Sequence, residues 1–288
     1  MKNIFVLIFL ATFILIVFLT VRNLFRESSA KIISDSHKPT DAISAKVLAD
    51  EINLVNDLSK IVDDAMNGAN GTYAIFIKNL KTNESYSFNE HMKFKAGSLY
   101  KLWVMGEAYN EIKSNNLSLS DYLTEVSLTV GDALNQMVTV SDNSSAFALT
   151  NKLTAVNISS FMKKFNFSES DFGDETNEPM TTAYDVASFF EKLYKGEIVD
   201  SSSSSEMVEL LKEQTLNDVI PKYLPSEIAI AHKTGDIDNF YHDAGIVYTK
   251  NGDYIIVLMS ESDDPSQSAV RESVISKNVF DYFNSQRG

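Results

Sequence analysis

Cysteine is missing from all 288 residues. Its absence excludes disulfides, thiol catalysis, thiolate metal sites and a lipid-modified cysteine near the amino terminus. Histidine is scarce. His37, His91, His232 and His242 form neither a His-x-His nor a His-Glu-x-x-His group, so no histidine metal site is expected. Nothing in the sequence calls for a metal or any other cofactor. Positive charge is short too, with 25 basic against 39 acidic residues and a net charge of −14. Such a surface repels polyanions, so nucleic acid is not expected as a partner. There is no internal repeat.

Long apolar runs are also missing, with one exception. Residues 4–21 are eighteen in a row without a charge, enough to cross a bilayer at about 1.5 Å per residue. Lys2 precedes the run, and Arg22 and Arg26 follow it. Residues 1–24 therefore read as a transmembrane anchor, or as a signal cleaved near Ser28-Ser29-Ala30. Both readings direct the chain to a membrane. Positive charge on both flanks leaves the orientation open. Residues 25–45 are polar and contain Pro39, which makes a tether. The remaining part is then 46–288.

Within that part, apolar residues from Leu48 to Met66 recur at three- and four-residue steps, a helix that Gly68 stops. Residues 72–77 and 85–88 are strand-like and joined as a hairpin. From Ser98 to about Tyr194 the pattern is mainly helical, with Thr129 capping one helix and Thr181-Thr182-Ala183 opening another. The serine run 201–205 reads as a loop entering a helix. Strands are expected at 227–232, 244–249 and 254–259, the last two turning at Asn251-Gly252, before a helix over 269–283. An early hairpin and late strands predict one antiparallel sheet flanked by helices, an α+β fold of α/β sandwich type. An all-helical lobe, about 98–220, is inserted in it.

Three short patterns carry chemistry. Ser98 opens an apolar run and Lys101 follows one helical turn on, so a lysine amine can reach a serine hydroxyl. The same spacing occurs at Ser28/Lys31 and Ser160/Lys163, so alone it decides nothing. Ser141-Asp142-Asn143 closes an apolar segment, and Lys233-Thr234-Gly235 ends a predicted strand. A lysine and a hydroxyl beside glycine can grip a carboxylate while backbone approaches closely.

In this order and context the three patterns form the signature of class A β-lactamases and penicillin-binding proteins. The chain resembles that superfamily over about 46–288, closest to the class A β-lactamases, and the likeness extends through 128–146 and to Thr181-Thr182-Ala183. The resemblance implies a β-lactamase/transpeptidase-like fold, a serine hydrolase, and roles for matching residues. Ser98 would be the acylated nucleophile and Lys101 its base or proton relay. Ser141 would pass a proton to the leaving nitrogen, and Asn143 would hold the substrate amide. Lys233 and Thr234, beside Gly235, would bind the substrate carboxylate. The backbone N–H groups of Ser98 and Asp236 would form the oxyanion hole. The implied partner is a small β-lactam or a peptidoglycan stem peptide, met by a monomer outside the cytoplasm.

The likeness breaks at two places. Class A enzymes carry a deacylating glutamate on the loop before the Thr-Thr helix. Here 168–180 is short and holds Glu169, Asp171, Asp174, Glu175 and Glu178, without the family's spacing. No arginine replaces the carboxylate-binding one seen in some relatives; Tyr241-His242-Asp243 stands there, and His242 reads as structural. A peptidase or transpeptidase of penicillin-binding-protein type, or a sensor that stays acylated, therefore remains open beside the lactamase. The short segment before residue 4 weighs against the sensor.

Overall fold

The middle strands of the sheet are buried on both faces, and their side chains alternate between two separate cores. The computed structural model describes residues 58–173 and 178–285. The main sheet has five antiparallel strands in the order β2-β1-β9-β8-β7. They are β1 (Thr72–Asn79), β2 (Ser85–Phe88), β7 (Ile230–Ile237), β8 (Phe240–Val247) and β9 (Tyr254–Glu261). β1 pairs along its whole length with β9, from Thr72 opposite Glu261 to Asn79 opposite Tyr254. The early hairpin is thus completed by the late strands, as expected.

In β9, Ile255, Val257 and Met259 face one core, while Tyr254, Ile256 and Leu258 face the other. This is the period-2 alternation of a strand covered on both sides. The second core is closed by the helix α1 (58–66) and by α8 (Pro265–Ser285). The first core is shared with the helical lobe: α2 (Lys101–Lys113), α3 (Val130–Thr139), α4 (Asn143–Leu153), α5 (Ala155–Lys164), α6 (Ala183–Tyr194) and α7 (Ser201–Lys212). Two small ladders complete it, β3 (Phe94–Lys95) with β6 (Met180–Thr181) and β4 (Tyr122–Leu123) with β5 (Leu128–Thr129).

α2 is the axis of the lobe, because every residue from Lys101 to Tyr109 is buried. Its Trp103 stacks on Phe167 at 4.8 Å and meets Phe189 edge-on at 5.4 Å. Thr129 caps α3 by accepting from Asp132 N, and Thr182 caps α6 by accepting from Asp185 N.

Two expectations need correcting. The serines 201–205 are not a loop but the first turns of α7, started by Asp200, whose side chain accepts from Ser203 N at 2.8 Å. Burial of Met207 and Leu211 further along outweighs the weak helix preference of serine. Lys233-Thr234-Gly235 does not end its strand; β7 runs on to Ile237 because β8 pairs with it up to Phe240. The predicted anchor at 4–21 and tether at 25–45 lie outside the described residues, as does the first half of the 48–66 helix. Among the described residues no helix is long and apolar enough to cross a membrane.

Gly106 lies where α2 meets α5, and a Cβ there would collide with the Phe161 ring. Because Phe161 is itself fully enclosed, the ring cannot step aside. Gly106→Ala is expected to destabilise the domain by about 1–3 kcal/mol, read as a lower urea midpoint with an unchanged m-value.

Candidate active site

Four of the side chains singled out in the sequence meet in one hydrogen-bonded cluster. Ser98 sits in a 3-10 turn, Gly97–Tyr100, that leads directly into α2. Lys101 is the first residue of α2 and is fully buried. Its ammonium has three protons and three acceptors: Ser141 O at 2.6 Å, Ser141 Oγ at 3.1 Å and Asn143 Oδ1 at 2.8 Å. From β7, Lys233 donates to the same Ser141 Oγ at 2.9 Å and to Thr234 O at 3.0 Å. Ser141 Oγ therefore accepts from two lysines. Both its lone pairs are taken, so its own proton can be given only to a third group.

Local backbone explains how Ser141 reaches this point. It adopts φ +57°, the left-handed conformation that a non-glycine residue takes at a cost. Asp142 next to it caps α4, accepting from Ser145 N at 2.6 Å, and its own N–H goes to Gln136 O at 3.0 Å. The bend between α3 and α4 is thereby held, with Ser141 turned to the lysines and Asn143 one residue into α4.

The nucleophile candidate is placed by backbone contact. A Cβ on Gly97 would lie 3.0 Å from Asp236 N, and one on Gly235 would lie 2.9 Å from Ala96 O. The turn carrying Ser98 thus rests directly on the backbone of β7 at Gly235 and Asp236. Gly97 also has φ +48°. No hydrogen bond among the described residues involves the Ser98 hydroxyl, and the Ser98 residue is partly exposed.

Two buried cations close together set the electrostatics. Burial lowers Lys101 to about 8, offset in part by the charge of Asp142. Burial lowers Lys233 to about 7, with the charge of Lys101 pushing the same way and Asp243 opposing. A buried pair of like charges holds one proton more easily than two. When one amine is charged, the other is driven toward the neutral form that can accept a proton.

The loop acids are turned to other tasks. Glu169 pairs with His91 Nδ1 at 2.9 Å and accepts from Thr182 Oγ1 at 3.0 Å. Asp171 accepts from Gly173 N at 3.0 Å, and its backbone pairs with Met180. Glu178 pairs with Lys95 at 2.7 Å. Buried Asp185 in α6 clamps the start of the loop, taking the N–H groups of Glu169 and Ser170. Asp174 and Glu175 lie outside the described residues.

His242 is structural in a specific way. It is buried inside β8; Nε2 donates to Lys95 O at 2.8 Å, and Nδ1 accepts from Ser260 N at 3.3 Å. That ties the strand before Ser98 to the main sheet. Sequence reasoning missed the network behind Lys233: His232 Nδ1 lies 2.9 Å from Asp243 Oδ1, and Asp243 Oδ2 accepts from Ile220 N. The register placing His232 near Asp243 across a hairpin was the signal available.

The chain matches the sequence profile of the Beta-lactamase enzyme family over residues 54–283. None of the curated proteins matches it. Among solved structures it is similar to a beta-lactamase from Sphaerobacter thermophilus, with 19% identity, 81% of this chain and 98% of that chain covered, and a TM-score of 0.74. It is similar to PBP-A at 21% identity, covering 80% and 96%, with a TM-score of 0.74. It is similar to the TLA-1 extended-spectrum beta-lactamase at 20% identity, covering 79% and 98%, with a TM-score of 0.71. At such identities the likeness shows the fold, an antiparallel sheet flanked by helices of β-lactamase/transpeptidase type.

Burial pushes His242 down to about 4, against the hydrogen bond to Lys95 O. A histidine held below its ordinary value near 6.5 stabilises the fold fully above that value, and the contribution is lost as pH falls toward 4. Between pH 7 and 4.5 the unaltered protein should therefore lose about 2 kcal/mol more stability than His242→Gln, measured by urea unfolding at both pH values. Equal losses in the two proteins would show that His242 does not stay neutral.

Proposed function

We propose, from the premise that this chain belongs to the β-lactamase enzyme family, that it opens β-lactam amides through an acyl-enzyme on Ser98. It is a serine β-lactamase-like hydrolase. The observation that carries the finer reading is the hydroxyl of Ser141 shared by Lys101 and Lys233. Neutral Lys101 takes the Ser98 proton as Oγ attacks the lactam carbonyl carbon. The oxyanion is met by the backbone N–H groups of Ser98 and Asp236, an arrangement in which one donor is worth about 10²–10³ in rate. The C–N bond then breaks, Ser141 passes its proton to the nitrogen, and a lysine ammonium restores it. Lys233 and Thr234 anchor the substrate carboxylate. Its arrival keeps the proton on Lys233, and repulsion between the amines then favours neutral Lys101. Substrate binding thus supports activation of the base.

A second reading is favoured by one observation. Glu169, Asp171 and Glu178 are all engaged away from the cluster. A peptidase or transpeptidase that acts on stem peptides, and releases β-lactams slowly, needs no loop carboxylate there. For either reading we place the domain outside the cytoplasm as a monomer, held at the membrane by residues 4–21. Protease accessibility in intact cells tests the placement.

Incubating the full-length chain with a chromogenic β-lactam should give an adduct on Ser98 by mass, absent in Ser98→Ala. An unmodified native protein would overturn both readings. Steady turnover selects the hydrolase, and a lasting adduct selects the peptidase. Lys101→Ala should slow adduct formation by about 10²–10⁴. The pH profile follows from the lysine pair. Below pH 7 both amines are charged and Lys101 cannot accept a proton; above pH 8 both are neutral and the carboxylate anchor is lost, so neutral Lys101 beside charged Lys233 is most frequent between these values. Acylation should therefore peak between about 7 and 8, and a rate that keeps rising to pH 10 would contradict the assignment.

A further inference from the structure

Among the described residues, neither ammonium of the lysine pair touches an acid. Lys233 donates to Ser141 Oγ and Thr234 O, and all three acceptors of Lys101 are neutral as well. A buried charge without a partner is costly, so the compensating charges have to lie one layer back. Behind Lys101 it is Asp142, held where it caps α4. Behind Lys233 it is Asp243 of β8. His232 and Lys233 are consecutive in β7 and so point to opposite faces of the sheet. Asp243 shares the face of His232, since its Oδ1 lies 2.9 Å from His232 Nδ1 and both side chains are buried. Its Oδ2 accepts from Ile220 N at 2.9 Å. A carboxylate only accepts, so His232 Nδ1 is the donor, and the other ring nitrogen reaches the Asn217 amide at 3.2 Å. The register sets Gly245 opposite His232, where an added Cβ would come within 2.6 Å of the His232 Cβ. Glycine there leaves room for the ring.

We infer that Asp243, held by His232, is a positioning residue that decides which lysine carries the proton they share, keeping it on Lys233 and leaving Lys101 free as the base. The inference rests on the acyl-enzyme reading above. Lys233 stands between a cation on its own face and a carboxylate behind the strand, with Lys101 pushing its proton off and Asp243 holding it on. Little water lies between the two faces to screen the charge. The other titratable groups near Asp243 do not compete with it. From α8, Glu272 is raised well above the ordinary carboxylate value by burial, against a contact with Ser260, which favours its neutral form. On β8 itself, Tyr241 is pushed up to about 12, first by burial and then by the charges of Asp218, Asp236, Asp243 and Glu272, so it stays a neutral phenol. Asp218 and Asp236 are exposed, where water screens them. Without the charge of Asp243, the shared proton settles on Lys101 beside Asp142. That blocks the base and empties the anchor at once.

The test uses the full-length chain and a penam with a free carboxylate, the second-order rate of Ser98 adduct formation being followed by mass across the pH range. Asp243→Asn keeps the shape of the side chain and removes its charge. The alkaline limb of the profile, where Lys233 gives up its proton, should move down by about one pH unit, and the rate near neutrality should fall about tenfold. The methyl ester of the same penam needs no anchor. Well above pH 8, where neither lysine is charged, it should react equally in both proteins, whereas a merely structural defect would slow it too. His232→Leu removes the donor that holds the carboxylate and should move the limb the same way. His232→Gln still offers an N–H to Asp243 and should leave the limb in place, so these two variants decide the matter even where Asp243→Asn does not fold. A limb that stays put in every folded protein among Asp243→Asn and His232→Leu, or an ester slowed as much as the acid, overturns the assignment and leaves the Ser98 chemistry standing. If the unaltered protein forms no adduct with the penam, the acyl-enzyme reading itself falls, and the role of Asp243 with it.

Discussion

Two lysines sharing one serine hydroxyl in a buried space is the constraint on which the rest of the site depends. Bringing Lys101 and Lys233 out of water is unfavourable, and holding both near Ser141 Oγ adds repulsion. Flexible side chains would drift apart. They stay because each is fixed at its root by a different rigid element: Lys101 by the fully buried start of α2, Lys233 by the middle of β7, and Ser141 by the left-handed bend before α4. The resulting tension is what makes an amine available as a base. A lysine in water would hold its proton far above neutrality, whereas here burial favours losing it at both lysines, and at Lys233 the charge of Lys101 adds to that effect.

The fold supplies that arrangement by bringing together segments far apart in the chain. Ser98 and Lys101 precede the helical lobe, and Lys233 follows it. The contact between them is closed by backbone, with Gly97 against Asp236 and Gly235 against Ala96. Any Cβ at either glycine would hold the turn off the strand, and the N–H groups of Ser98 and Asp236 would separate. His242 and Lys95 reinforce the contact from both sides. His242 holds the Lys95 carbonyl, while the Lys95 ammonium reaches Glu178 on the loop and Asp238 beyond β7. Lys95, just before the turn that carries Ser98, is thus tied to sheet, loop and hairpin end at once.

These relations explain what could be read in the sequence. Ser98, Lys101, Ser141, Asn143, Lys233 and Thr234 stand in short patterns because each pair's geometry is set locally, by one helical turn or one bend. The sheet could be assembled because 72–77 and 254–259 are short β-rich apolar runs and the late turn is Asn-Gly. Strand ends were less legible: β8 begins at Phe240 rather than at 244, because it pairs with β7 up to that residue. The serine run of α7 hid a helix because its stability comes from Asp200 and from tertiary burial of Met207 and Leu211.

The loop shows why acylation and release are separate physical problems. A carboxylate that activates water must be near the ester and not already held by a cation partner. Glu169 and Glu178 each have such a partner, and in each case the pair binds the loop to the body of the protein. Asp185 adds two N–H bonds at the loop's root, so rigidity is built from the same acids that a class A mechanism would keep available. In the proposed reaction Lys101, one helical turn from Ser98, regains its neutral form once it has returned a proton to Ser141. The amine that begins the reaction is then also the group able to draw a proton from water. Its efficiency in doing so depends on whether Lys233 still carries the charge that keeps it neutral.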